Sequence, residues 1–234
     1  MLAVVVPAHD EEQHIGACLE SIRIASRCPR LNGEQVIVVA VLDACSDHTG
    51  RVAGDLGATL VSVAARNVGI ARASGARHAL DAGARWLAFT DADSVVGPEW
   101  LSAQLEQGSD AVCGTIEVRD WSVYGERMRR HHIETYTDAD GHRHIHGANL
   151  GVTAHAYQSA GGFPPLVSSE DVALVEALRD LGASIAWSAA PRVVTSARHR
   201  YRAPGGFGET LARVDRELGS RQGGSEDLSD RHYT

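Results

Sequence analysis

Apolar and polar positions alternate in blocks along the first hundred residues, and the blocks predict the elements. Residues 2–7 form a uniformly apolar, β-branched run, the mark of a strand buried on both faces. The acidic loop Pro7-Ala8-His9-Asp10-Glu11-Glu12 breaks it, and Ile15, Cys18, Leu19 and Ile22 follow at helical spacing. A second buried strand runs from Val36 to Leu42 and ends in Asp43-Ala44-Cys45-Ser46-Asp47, where Ser46 or Asp47 is placed to cap a helix through Val52 and Leu56. Gly57 stops that helix, and Thr59 to Val63 form a third strand. An Ala-rich helix to Leu80 follows Asn67-Val68-Gly69, Gly83 ends it, and residues 85–90 make the fourth strand. This βαβαβαβ alternation with short loops predicts a parallel sheet with right-handed crossovers, whose ligand site lies along the carboxyl edge.

Past that point the pattern loosens. A helix is expected from Pro98 to about Gln107 and a strand from Asp110 to Val118, followed by an Arg- and His-rich stretch over 119–146. On a strand, His142, His144 and His146 would face one way and could bind a metal; the simpler reading is an exposed polar hairpin with Asp140-Gly141 at its tip. A short helix over His155 to Ala160, the loop Gly161-Gly162-Phe163-Pro164-Pro165, and an amphipathic helix opened by Glu170-Asp171 and stopped by Gly182 come next. The last strands fall within 184–195 and a final helix ends at Leu218. The tail, residues 219–234, has few apolar residues and reads as disordered.

Composition narrows the chemistry. Of 234 residues 44% are hydrophobic and 22% charged, ordinary values for a globular protein. The longest strongly apolar run is far too short to cross a bilayer. The opening residues lack a basic stretch and a cleavage site, so they read as a first strand and not a signal peptide, and a cytoplasmic location is expected. A net charge of −8 disfavours nucleic-acid binding. Cys18, Cys28, Cys45 and Cys113 show no C-x-x-C spacing, which argues against a zinc ribbon or redox motif. All 22 basic residues are arginine. The absence of lysine removes the Walker-type phosphate loop and Schiff-base chemistry, and the first loop has no G-x-G-x-x-G for a dinucleotide.

The densest chemistry lies at Asp91-Ala92-Asp93, where the fourth strand ends in two carboxylates. Hard oxygen ligands there suit Mg²⁺ or Mn²⁺, and a divalent ion suits a diphosphate. The alternative is a turn in which Asp93 or Ser94 precedes a helix starting near Pro98. Acidic residues at the N-terminus of the 170–181 helix are likewise what the helix dipole alone favours.

Pro7-Ala-His-Asp-Glu-Glu, Leu42-Asp43-Ala-Cys-Ser-Asp47, Asn67-Val-Gly69, Asp91-Ala-Asp93, Gly147-Ala-Asn149, Gly161-Gly-Phe163 and Glu170-Asp171 stand in the order seen in family 2 glycosyltransferases, which the chain resembles from about residue 2 to residue 207. The resemblance implies a GT-A fold, three α/β/α layers with a mostly parallel nucleotide-binding sheet and a smaller acceptor-side β region. It implies one domain over 1–218, with a nucleotide-binding half at 1–97 and an acceptor-binding half at 98–218. The activity implied is inverting transfer of a sugar from a nucleotide-diphosphate donor to an acceptor hydroxyl.

Position by position, the resemblance assigns Pro7, Ala8, His9, Asp10, Asp43, Asn67, Arg72 and Asp91 to the nucleotide, and Asp93, with Asp91, to a Mn²⁺ or Mg²⁺ ion. Gly147, Asn149, Gly162 and Phe163 fall on the donor-sugar and acceptor side, with Asp171 as base and Glu170 its neighbour. His199 is a candidate third metal ligand, with a surface strand edged by arginines as the alternative, and Arg198 or Arg202 could clamp the diphosphate. Carboxylates facing a diphosphate would repel it by about 3 kcal/mol per pair at ~5 Å and an effective dielectric of 20, so a cation is expected in the mechanism. His9 stands where an aromatic residue is common and Ala44-Cys45 where Gly-Ser is usual; a Q-x-x-R-W motif is absent, which argues against polymer synthesis. The acceptor could be a glycan, a lipid-linked sugar or a small molecule, with at most peripheral membrane contact at the inner face through the basic stretch 127–130. The rival reading is a catalytically silent module of this fold that binds a nucleotide sugar or a partner protein. A sugar-phosphate nucleotidyltransferase would want a Gly-rich, basic first loop in place of the acidic one present.

Overall fold

The computed structural model describes residues 1–197 and 207–223. His199, Arg198 and Arg202 lie outside the described residues. In chain order the elements are β1 Leu2–Ala8, α1 Ile15–Ala25, a 3-10 turn Pro29–Leu31, β2 Val36–Asp43, α2 Thr49–Asp55, β3 Thr59–Val63, α3 Val68–Asp81, β4 Trp86–Phe89, β5 Val95–Val96, α4 Trp100–Leu105, β6 Ala111–Val118, α5 Gly125–Thr135, β7 Leu150–Thr153, α6 Ala154–Ser159, α7 Glu170–Asp180, β8 Ile185–Thr195 and α8 Phe207–Gly223. They fall into two compact units, residues 1–119 with 137–196, and residues 120–136 with 197–234.

In the first unit one eight-stranded sheet runs in the order β3-β2-β1-β4-β7-β6-β8-β5. β3, β2, β1 and β4 are parallel, as the sequence alternation requires. β7 then enters antiparallel between β4 and β6, pairing Phe89 with Leu150 and Cys113 with Leu150. Alternate residues of β1 feed two cores. Leu2, Val4 and Val6 pack with Ile15, Cys18 and Ile22 of α1 and with Trp100 and Leu101 of α4; Ala3 and Val5 pack with Ala71, Ala76 and Ala79 of α3 and with Leu174 and Leu178 of α7. Burial on both faces is why β1 reads as an unbroken apolar run.

α3 lies unusually close to the sheet because Gly75 faces it: a Cβ there would sit 2.4 Å from Val5 Cγ1 and 2.7 Å from Val41 Cγ2. β5 is an addition to the expected elements, a two-residue strand on the edge beside β8. The 119–146 stretch also differs from the sequence expectation. Its first part forms α5 and not a hairpin arm. Asp140-Gly141 is a turn, Gly141 having φ 81, but no strand flanks it.

The second unit holds α5 and α8. α5 buries Met128, His132 stacks on Tyr136 at 4.8 Å, and Arg127 pairs with Asp215 of α8 at 2.8 Å. α8 runs on to Gly223, past Leu218 where the sequence pattern ends it. Among the described residues no helix is long and apolar enough to cross a membrane.

Candidate active site

The carboxyl ends of the parallel strands carry the acidic segments to one edge of the sheet. At the end of β1, Asp10 has φ 52 and its carboxylate accepts the Ser46 N–H at 2.6 Å and the Asp47 N–H at 3.2 Å. The Ser46 bond is the largest cause that holds its carboxyl below the usual 3.8. Asp47 and Glu12 exchange bonds across the same gap: the Glu12 N–H donates to Asp47 and the His48 N–H to Glu12, each at 3.0 Å. Much of the acidic character of this loop therefore clasps the β1 end to the β2 end. Asp10, Cys45 and Asp47 also form the one group of three among the described residues whose ligand-type atoms lie within 4.8 Å of one another.

His9 is half-buried. Its Nδ1 lies 2.6 Å from the Asp43 carbonyl oxygen; a carbonyl only accepts, so Nδ1 carries the proton, and Nε2 lies 4.0 Å from Asp10. Pro7 and Ala8 continue β1 into this loop, Ala8 buried. Asp43, only 5% exposed, points back into the protein. Its Oδ1 accepts the N–H groups of Ala65 and Arg66, both at 2.8 Å, and its Oδ2 that of Asn67 at 2.7 Å. Three backbone donors converging on one carboxylate fix the loop ahead of α3, where Arg66 takes a left-handed φ of 48. Asn67 then caps α3 by accepting the Ile70 N–H and donates to the Pro165 carbonyl, each at 3.0 Å.

At the end of β4 the Asp91 carbonyl accepts the Ser94 N–H at 3.0 Å and the Cys18 S–H at 3.3 Å, so the turn that carries Asp91 and Asp93 is tied to α1. The Ser94 hydroxyl meets that of Thr195 at 3.0 Å. Burial pushes the Cys18 thiol well up, with Asp91 and Asp93 adding to the effect. Asp91 is about a third exposed and accepts from an Arg72 guanidinium nitrogen at 2.5 Å.

Arg72 is the centre of the arrangement. It is 4% exposed and its other terminal nitrogen pairs with Glu170, itself 2% exposed, 98 positions along the chain. Gly147 makes room for it, since a Cβ there would lie 2.4 Å from the guanidinium. The Gly147 N–H donates to Asp171 Oδ2 at 2.7 Å, and Asp171 Oδ1 accepts the Val172 N–H at 2.8 Å. Phe163 closes one side, its ring 5.9 Å from Arg72 Cζ and edge-on to Phe89 at 4.8 Å. Gly162, with φ 74, leaves space that Tyr157 occupies.

Several residues singled out in the sequence thus meet: Asp91, Arg72, Gly147, Glu170, Asp171 and Phe163. Asn149 does not join them. It is fully buried, its Oδ1 accepting from the Trp100 indole at 2.8 Å and its Nδ2 donating to the Thr115 and Pro191 carbonyls at 2.7 and 2.6 Å. It clamps β6, β8 and α4 and offers nothing to a ligand. His142, His144 and His146 stack at 5.4 and 5.8 Å along an extended segment that is not a strand, His142 Nδ1 accepting the His144 N–H at 3.1 Å. Sequence reasoning did not single out Trp100, whose indole orients Asn149; it lies within the helix expected from Pro98 to about Gln107.

A mostly parallel sheet with an antiparallel strand, β7, inserted beside β4 and carboxylates at the strand ends is the architecture of GT-A glycosyltransferases. The chain belongs to glycosyl transferase family 2, whose model matches residues 3–160. Among solved structures it is similar to the mannosyltransferase PcManGT from Pyrobaculum calidifontis, in complex with GDP-Man and Mn²⁺, at TM-score 0.65 and 21% identity, over 100% of this chain and 65% of that one. It is also similar to S. aureus TarS 1-349, at TM-score 0.62 and 18% identity, over 84% of this chain and 60% of that one. A third likeness is to glucosyl-3-phosphoglycerate synthase from Mycobacterium tuberculosis, in complex with Mn²⁺, UDP and glucosyl-3-phosphoglycerate, at TM-score 0.59 and 19% identity, over 92% and 76%. The chain spans about 60% of the TarS fragment's length. No curated protein sequence matches it.

Proposed function

We propose that the protein transfers a sugar from a nucleotide-diphosphate donor to an acceptor hydroxyl with inversion, in a metal-dependent reaction. The observation that carries the proposal is the fixed Asp171 carboxylate, held by the Gly147 and Val172 N–H groups on the same crevice as Asp91. An attacking hydroxyl must lose its proton, and a carboxylate within hydrogen-bond reach takes it. Direct displacement needs that base and no covalent intermediate on the protein.

Asp91 and Asp93 form a hard-oxygen donor set suited to Mn²⁺ or Mg²⁺, and Asp91 Oδ2 has no partner among the described residues. Bound there, the ion supplies positive charge to the diphosphate as it leaves. Complexes of the mannosyltransferase and the phosphoglycerate synthase with Mn²⁺ support this assignment. His9 and the loop 65–67 that Asp43 orders line the nucleoside end, and Gly162 and Phe163 the sugar end. The chain would act in the cytoplasm, touching a membrane only where the acceptor is lipid-linked.

The test is a panel of nucleotide sugars with Mn²⁺, using wild type, Asp93→Ala and Asp171→Asn. Asp93→Ala is expected to lose metal-dependent donor binding, whereas Asp171→Asn keeps binding and loses transfer. Donor binding indifferent to chelator and to Asp93→Ala would remove the ion from the mechanism; full transfer by Asp171→Asn would move the base elsewhere.

A further inference from the structure

We propose that Arg72 is a positioning residue that couples the ion-holding Asp91 to the start of α7, with Glu170 acting as its counter-anion and not as a second base. This rests on the reading above, in which Asp91 and Asp93 hold a divalent ion. One guanidinium is shared by two carboxylates, Asp91 at 2.5 Å on the crevice side and Glu170 on the buried side. Glu170 is 2% exposed, and Arg72 is its partner in the fold. It is withdrawn from solvent, whereas its neighbour Asp171 is intermediate in exposure and anchored by the backbone N–H groups of Gly147 and Val172.

The guanidinium has little room to swing. Gly147 backbone lies against it on one side and the Phe163 ring on another. Its Nε is buried without an acceptor, an unmet donor that a purely stabilising arginine would be expected to fill. The two carboxylates therefore dictate where Arg72 lies at some cost to its own bonding. Asp91 in turn has one oxygen fixed by Arg72, which restricts the orientation of the carboxylate and leaves Oδ2 without a partner among the described residues. The same cation offsets part of the Asp91 charge, and the share it gives to Asp91 depends on how much Glu170 claims.

Removing the Glu170 charge should thus weaken ion binding, although Glu170 is buried and directs its carboxylate at Arg72. Mn²⁺ alone is titrated into the full chain and free Mn²⁺ is read by electron paramagnetic resonance, beside a thermal melt of each variant. Glu170→Gln is expected to raise the Mn²⁺ dissociation constant roughly tenfold, because Arg72 then neutralises Asp91 more fully. Asp171→Asn, which removes an equal charge without touching Arg72, should change it less than about twofold. Arg72→Lys keeps the charge but has no fork to span two carboxylates, and should impair Mn²⁺ binding as Glu170→Gln does, with the two effects failing to add in the double variant. If Glu170→Gln does not fold, Arg72→Lys carries the test by itself against Asp171→Asn. Equal effects of Glu170→Gln and Asp171→Asn, or Mn²⁺ affinity unchanged by both Glu170→Gln and Arg72→Lys, would overturn the coupling. A wild-type chain that binds no Mn²⁺ would instead overturn the ion-dependent reading on which the coupling stands.

Discussion

Asp43 offers the sharpest separation between a ligand contact and a structural clamp. In Asp43→Asn the side chain keeps its shape, but the negative charge goes and one oxygen becomes an NH₂ group. If Oδ1 is retained, the Ala65 and Arg66 bonds at 2.8 Å become neutral, and the Asn67 N–H, now 2.7 Å from the position of Oδ2, meets a donor. Hydrogen bonds to a charged group contribute about 1.5–3 kcal/mol each against about 1 for neutral ones, and an unmet buried donor costs about 1–3 kcal/mol. The loop must then relax from a geometry that includes a non-glycine residue at φ 48. A net loss of about 3 kcal/mol follows, or roughly 6–12 °C in Tm for a domain of this size. Urea unfolding of the chain without any nucleotide measures it directly. A residue whose role is to contact the base would leave ligand-free stability nearly unchanged. A loss below about 1 kcal/mol with donor affinity abolished would refute the clamp.

Gly75→Ala should cost about 1–3 kcal/mol, seen as a lowered Tm, since its methyl would overlap Val5 and Val41 and push α3 off the sheet. Asp10 has a folded pKa below its ordinary 3.8, so the stability it contributes is present above about pH 4 and is lost as pH falls through the lower folded value. Asp10→Asn should remove that part of the acid dependence of the β1–β2 clasp, followed by the amide resonances of Ser46 and Asp47 in an NMR titration; an unchanged acid limb would show that other groups set it.

The parallel half of the sheet was legible because β1, β2 and β4 are buried on both faces and carry their burial as unbroken apolar runs. Helical spacing and the stop at Gly83 placed the helices between them, although the N-cap of α2 is His48 and not Ser46 or Asp47 as expected. α5 was not legible: Gly-Glu-Arg-Met-Arg-Arg-His-His shows one apolar residue, Met128, and no stripe. Helical order in such a segment depends on partners such as Asp215, far off in sequence, which local spacing does not reveal. Motif order singled out Asp91, Arg72, Glu170 and Asp171, and the fold joins Arg72 to Asp91 and Glu170, but motif order carries no side-chain direction. Asn149 was assigned to the sugar side by the resemblance of Gly147-Ala148-Asn149 to the family motif; its direction is set by Trp100, far away in sequence, and by two carbonyls on other strands. Glu170 and Asp171 are adjacent in the first turn of α7 and differ in environment, because successive helical residues point in different directions and only Glu170 meets Arg72.

The reversed strand β7 has a consequence for how the protein reaches its working state. Because β7 runs against β4, its start lies beside the end of β4, and Gly147 arrives next to Asp91 without any long bridging loop. Residues 1–97 hold the four parallel strands and Asp91, yet Arg72 lacks its Glu170 partner on the second side until β7 docks and α7 follows. Asp171 acquires its Gly147 anchor at the same moment. The Asp91–Arg72–Glu170 bridge is therefore closed only by residues that follow β7, and a chain ordered no further than β4 would hold Arg72 on one side alone.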